Sequence, residues 1–80
     1  MIYVYIIKSS KDKGYYIGIT KDLKKRLAKH NKGQVNSTKR RRPFVLVYTE
    51  KFSGYESARV REIELKGYKG GNKFKELLNT

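Results

Sequence analysis

Cysteine is absent from the 80 residues, which excludes disulfide staples and thiolate zinc sites. Tryptophan is absent as well, and the single proline, Pro43, bars a helix where it stands. No apolar run approaches the length that a bilayer requires, and the N-terminus lacks the layout of a signal peptide. The expectation is a soluble, cytoplasmic protein in a reducing compartment. Acids are scarce: seven Asp and Glu stand against twenty Lys and Arg, for a net charge of +13. Walker-type phosphate loops, metal-spaced His/Cys clusters and nucleophile elbows are missing too, so ATP or ester hydrolysis has no support.

What is present is basic, phenolic and small. Eighty residues make one domain, expected over residues 1–78, near the size where one core is only marginally sufficient. An excess of +13 in so short a chain strains a compact monomer by self-repulsion, and a polyanionic partner relieves it. Nucleic acid leads as that partner, DNA first with RNA left open. An anionic membrane surface ranks below it, because neither basic helix carries a broad apolar face. Residues 21–42 hold ten of the basic side chains and one acid, Asp22, so the field is concentrated there. The aromatic residues are mostly phenols, seven Tyr against three Phe. Two pairs, Tyr3 with Tyr5 and Tyr15 with Tyr16, precede that cluster.

Residues 1–8 and 15–20 are rich in Ile, Val and Tyr and read as two strands joined by a short polar turn ending in Gly14. Alternation sets Tyr3 and Tyr5 on one face, and Tyr16 with Gly18 on one face against Ile17 and Ile19. Gly18 removes a side chain beside Tyr16, for a ligand or for close packing. A helix follows, capped by Thr20 or Asp22 and stopped near Lys32 and Gly33. Its inward stripe is Leu23 and Leu27; Arg26 and His30 lie along one edge of it, while Lys24, Lys25 and Lys29 face solvent. Residues 34–43 form a basic loop and residues 44–50 a third strand. Ser53-Gly54-Tyr55-Glu56 matches a capping box for a helix over 55–66. On its wheel Tyr55, Ala58, Glu62 and Leu65 share a face, and Glu64 points away. Gly67, Gly70 and Gly71 break the chain before a last helix over 72–78. The fold class is therefore α/β, a small, mostly antiparallel three-stranded sheet flanked by helices.

Each candidate residue has two readings. An inward Glu62 is either paired with Arg26, Arg59 or a lysine, or bound to a cation. One carboxylate suffices for a hydrated Mg²⁺ but not for zinc. Arg26 presents a planar fork to phosphate or to Glu62, or is solvated. His30, the only histidine, serves as a base, orients a tyrosine hydroxyl, or is a hydrogen-bonded half-buried ring. Tyr5 and Tyr16 are packing residues or, with a cation nearby, proton acceptors. Lys39, Arg40, Arg41 and Arg42 grip phosphate, mark a localisation signal or are a solvated run.

Taken together these residues resemble the GIY-YIG nuclease superfamily. Its first motif is present as Tyr3-Val4-Tyr5 and its second as Tyr16-Ile17-Gly18; Arg26 follows ten residues after Tyr16 and His30 four after that. Glu62 lies in an Ala-x-x-x-Glu-x-x-Leu-Lys helix. His30-Asn31-x-Gly33, Thr38 and Arg42-Pro43-Phe44 are similar to the small stand-alone bacterial branch and to the catalytic domain of structure-specific junction endonucleases. The resemblance implies hydrolysis of DNA phosphodiester bonds with one divalent cation, Mg²⁺ or Mn²⁺, held by Glu62. It implies Tyr5 or Tyr16 as the base, Arg26 on the phosphoryl oxygens and His30 either hydrogen-bonding a tyrosine hydroxyl or acting as auxiliary base; the charge pattern itself puts Lys24, Lys25, Lys29, Lys39, Arg40, Arg41 and Arg42 on the nucleic acid. A structure-selective or single-strand-selective endonuclease of DNA repair or recombination, nucleoid-associated, is the expected function. A nucleic-acid-binding module with a vestigial nuclease site is the alternative.

Overall fold

The computed structural model describes residues 1–79. Strands β1 (Ile2–Ser9), β2 (Tyr15–Thr20) and β3 (Phe44–Phe52) form one sheet in the order β2-β1-β3, both pairings antiparallel. Helix α1 (Leu23–Asn31) joins β2 to the loop before β3, and α2 (Tyr55–Tyr68) and α3 (Asn72–Leu78) close the described chain. This is the expected α/β architecture.

The run Ile2-Tyr3-Val4-Tyr5-Ile6-Ile7 is apolar on both sides because β1 is the central strand and helices cover both faces of the sheet. Ile2, Val4 and Ile6 pack with Ile17, Ala58, Leu65 and Phe74 on the face of α2 and α3. Tyr5 and Ile7 pack with Phe44 on the opposite face, where Tyr16, Leu23 and Leu27 complete the cluster. Each fully buried aliphatic side chain is worth about 1.5–3 kcal/mol, so two thin layers share the work one deep core would do.

Asp22, not Thr20, caps α1: its carboxylate accepts the Lys25 N–H at 3.0 Å. Ser9 ends β1 fully buried, and its hydroxyl donates to the Arg41 carbonyl while accepting the Lys11 and Asp12 N–H groups. The first hairpin turn is thereby tied to the loop before β3. That loop carries a short 3₁₀ turn, Lys39–Arg41. Asn31 clamps the loop's exit, its side-chain amide exchanging hydrogen bonds with both backbone groups of Phe44.

Several boundaries and orientations differ from the sequence expectation. The Ser53 capping box does not form: α2 starts at Tyr55 as expected, which makes Gly54 the N-cap, without a side-chain bond, and leaves Ser53 one residue outside the cap. Gly67 lies inside α2, which ends at Tyr68. One interior glycine costs about 1 kcal/mol, less than the burial gained where Tyr68 packs on the core. Strand β3 runs to Phe52, which pairs with Ile2 and packs on the same core. Tyr55 is 54% exposed instead of inward: as the first helical residue its side chain leans toward the N-terminus, off the packed surface.

Candidate active site

The central relationship is set by strand register. Tyr5 on β1 stands opposite Gly18 on β2, and the phenol lies over that glycine. A Cβ at residue 18 would approach the Tyr5 hydroxyl oxygen to 2.5 Å, so the space left by Gly18 is filled by Tyr5. The ring is pinned there and its hydroxyl is delivered to α1.

Two residues of α1, one turn apart, meet that hydroxyl. His30 Nε2 lies 2.9 Å from it, and Arg26 Nε donates to it at 3.3 Å. The edge shared by Arg26 and His30 is thus the edge that faces Tyr5. His30 is fully buried, deeper than the half-buried ring its sequence position suggested. Its ring packs edge-on against Tyr5 and Tyr16, with centroids 5.8 and 5.0 Å away, and tilted against Phe44. Tyr16 stands 6.4 Å from Tyr5, centroid to centroid, half-buried at the rim. Tyr15 turns the other way and packs on Phe74, and Tyr3 is half-buried on the Tyr5 face.

Electrostatics follow from this burial. Burial pushes the Tyr5 phenol above its ordinary pKa, opposed by the Arg26 hydrogen bond and charge. The hydrogen bond to Tyr5 raises Arg26 in turn, against a smaller opposing effect of its own burial. His30 is held down at about 4, by burial first and by the Arg26 charge second. At neutral pH the cluster therefore consists of a neutral phenol, a neutral imidazole and a cationic guanidinium.

Glu62 faces inward from α2 at 8% exposure, while Glu64 is exposed and pairs with Arg61. Arg26 is not its partner. Lys66 Nζ stands 3.4 Å and Arg59 Nη1 3.9 Å from its carboxylate oxygens, both long contacts with exposed side chains. Its negative charge reaches Tyr5 and contributes to the raised pKa of that phenol. Among the described residues no cluster of three or more His, Cys, Asp and Glu is assembled. A carboxylate alone, with loosely held counter-ions, suits a cation that keeps most of its water, and suits zinc poorly.

The cations separate into distinct places. Lys25, Arg26 and Lys29 line a cleft of about 180 Å³ together with Thr20 and Asp22, and Lys24 is exposed beside them. Lys39, Arg40 and Arg42 line a wider groove of about 500 Å³ with Lys11 and Gly33. Gly33 sits at φ +76° beneath the Arg42 guanidinium, where a Cβ would come within 1.9 Å of it. Arg41 stays out of this groove: its Nε donates to Asp12 at 2.7 Å and its guanidinium packs over Phe44. Asp12, gripped by Arg41, is lowered to about 2.

Thr38 is the residue that sequence reasoning left without a role. It is fully buried, and its Oγ1 lies 2.7 Å from His30 Nδ1. A threonine inside a polar loop has no periodicity to betray burial; the only signal was its place in the branch-typical segment.

This constellation defines a class, and comparison with known proteins agrees. A family model described as the GIY-YIG catalytic domain matches residues 1–75. The chain belongs to the GIY-YIG family, and with it to the nuclease-type hydrolases that act on nucleic acid. Among relatives, a UPF0213 protein of Staphylococcus saprophyticus is 46% identical over 74 residues, covering 91% of this chain and 89% of its own. A Staphylococcus aureus UPF0213 protein is 46% identical over 67 residues, covering 82% and 80%. The solution NMR structure of a UPF0213 protein from Bacillus halodurans superposes with a TM-score of 0.55 at 38% identity, covering 98% of this chain and 82% of that one. No helix among the described residues is long and apolar enough to cross a membrane.

Proposed function

We propose that this chain is a divalent-metal-dependent endonuclease that hydrolyses DNA phosphodiester bonds in repair or recombination. The observation that carries the reading is the convergence of Arg26 and His30 on the Tyr5 hydroxyl beside a cationic cleft of phosphate size. One domain over residues 1–78 offers few side chains for base readout, so selection falls on DNA structure or single-strandedness more than on sequence.

Glu62 would hold one Mg²⁺ or Mn²⁺, which supplies charge neutralisation and Lewis acidity at the scissile phosphate. The remaining work falls to the chain itself. Arg26 spends Nε on Tyr5 and turns its terminal nitrogens to the phosphoryl oxygens, supported by Lys25 and Lys29 along the cleft. Tyr5 takes the proton of the attacking water as its own proton passes to His30 Nε2. The water oxygen bonds to phosphorus in line, the bond to the leaving oxygen breaks, and that oxygen is protonated by solvent. Tyr16, at the rim, orients the water. Tyr5 is favoured over Tyr16 as the base because its hydroxyl meets His30 and Arg26. Lys24, Lys39, Arg40 and Arg42 hold the flanking backbone, and the protein works at the nucleoid in the cytoplasm.

The test is cleavage of branched, single-stranded and plasmid DNA with Mg²⁺ or Mn²⁺, wild type against Glu62→Ala. The wild type is expected to nick and the variant to bind without cutting. Wild-type binding with no cleavage under any metal defeats the enzyme reading in favour of a binding module. The long ion pairs that already occupy Glu62 give that outcome its physical basis.

A further inference from the structure

We propose that Thr38 is a positioning residue, accepting the Nδ1–H of His30 and so anchoring the ring with Nε2 bare and facing Tyr5 as an acceptor. Its catalytic consequence rests on the nuclease reading above; its geometry does not.

A neutral imidazole has one N–H donor and one acceptor nitrogen. Both nitrogens of His30 are engaged in the interior, Nε2 with the Tyr5 hydroxyl at 2.9 Å and Nδ1 with the Thr38 hydroxyl at 2.7 Å. Hydrogen positions are fixed by the two ends of the chain. At one end the Tyr5 oxygen receives the Arg26 Nε–H. Among the described residues its hydroxyl proton has one hydrogen-bond acceptor, His30 Nε2. The ring proton must then sit on Nδ1 and point to Thr38 Oγ1. At the other end Thr38 has its own outlet, the Val35 carbonyl at 3.4 Å. Every donor from Arg26 to Thr38 is thus spent in one direction.

The opposite polarity fails at Tyr5. Were Thr38 to donate to Nδ1, Nε2–H would aim at a phenol oxygen already receiving Arg26, and the phenolic proton would lose its acceptor in a buried place. Such a loss costs about 1–3 kcal/mol. It would also remove the acceptor to which Tyr5 passes its proton.

Thr38 is itself held rigidly. Its backbone N–H donates to Val35 O at 3.0 Å and its carbonyl accepts the Arg41 N–H at 2.9 Å. The 3₁₀ turn that carries the basic groove therefore also fixes the group behind His30. Valine would fill the same volume without offering an oxygen, and serine would keep the oxygen.

Long-range ¹H–¹⁵N NMR of the full chain without metal reads the tautomer directly, because His30 is the only histidine. The wild type is expected to carry its proton on Nδ1 as a hydrogen-bonded, downfield-shifted N–H, Thr38→Val to move that resonance upfield as the bond to residue 38 is lost, and Thr38→Ser to restore it. Cleavage of a DNA oligonucleotide by Thr38→Val should lose about 10²-fold in kcat with KM within about twofold, and Thr38→Ser should recover most of it. Proton on Nε2 in the wild type overturns the proposal, and this measurement needs no variant to fold. An unmoved Nδ1–H resonance in a folded Thr38→Val overturns it as well, as does a moved resonance with full kcat. If the wild type cuts no DNA with any metal, the nuclease reading falls, while the Nδ1–H resonance still decides what Thr38 does to His30.

Discussion

A methyl group at residue 18 would stand 2.5 Å from the Tyr5 hydroxyl oxygen, 2.7 Å from the ring carbon that bears it and 3.0 Å from the next ring carbon. Gly18 is thus a seat for a phenol. Gly18→Ala is expected to push Tyr5 off His30 and Arg26, since a core overpacked by one methyl resolves the clash by displacing side chains at about 1–3 kcal/mol. Cleavage should fall by about 10²-fold with DNA affinity nearly unchanged, measured by nicking and by metal-free anisotropy. Wild-type cleavage by this variant would separate Tyr5 placement from catalysis.

Glu62 and Glu64 test whether the inward carboxylate is the functional one. Glu62→Gln keeps size and polarity and is expected to abolish metal-dependent cleavage. Glu64→Gln removes an exposed partner of Arg61 and should cost under about 1 kcal/mol of stability with activity intact. Cleavage rates of the two variants in Mg²⁺ decide it, and equal rates would release Glu62 from metal binding.

Periodicity made most of this site legible. Alternation put Gly18's open face beside Tyr16 and a 100° wheel put Arg26 with His30, because both rules act within one element; the seat of Tyr5 over Gly18 is a pairing between strands. The inward turn of Glu62 came from the same wheel. What escaped lies between elements. Thr38 is buried through a contact with His30, and Arg41 is withdrawn from the basic groove by Asp12, 29 residues away in the first hairpin turn. The Ser53 box failed because a helix that starts at Tyr55 has Gly54, not Ser53, as its N-cap.

The basic run should therefore divide in two. Arg40→Gln and Arg42→Gln, from the groove that also holds Lys11 and Lys39, are expected to lower the slope of log affinity against log salt by about one each. Arg41→Gln should leave that slope alone and reduce stability instead. Its partner Asp12 is lowered to about 2 from 3.8. A depressed carboxylate stabilises the fold above its unfolded pKa and loses that contribution as pH falls through the folded one. The gap in melting temperature between wild type and Asp12→Asn should be full at pH 6 and narrow between about pH 4 and pH 2. A constant gap would mean that the Arg41–Asp12 pair adds nothing.

His30 gives the opposite kind of group, a base whose charged form the fold resists. Its pKa is held at about 4, against 6.5 for the free side chain, by burial and then by Arg26. Below pH 6.5 the unfolded chain takes up a proton that the folded chain refuses, so folding stability falls as pH drops toward 4. It is flat above that window with respect to this group. A single imidazole makes the measurement direct: its ring resonances should not move between pH 8 and pH 6 and should titrate near pH 4, or report unfolding first. His30→Asn should show a shallower acid dependence of melting temperature over the same window. A wild-type midpoint near 6.5 would mean that the ring is open to water and that the Arg26 charge does not bear on it.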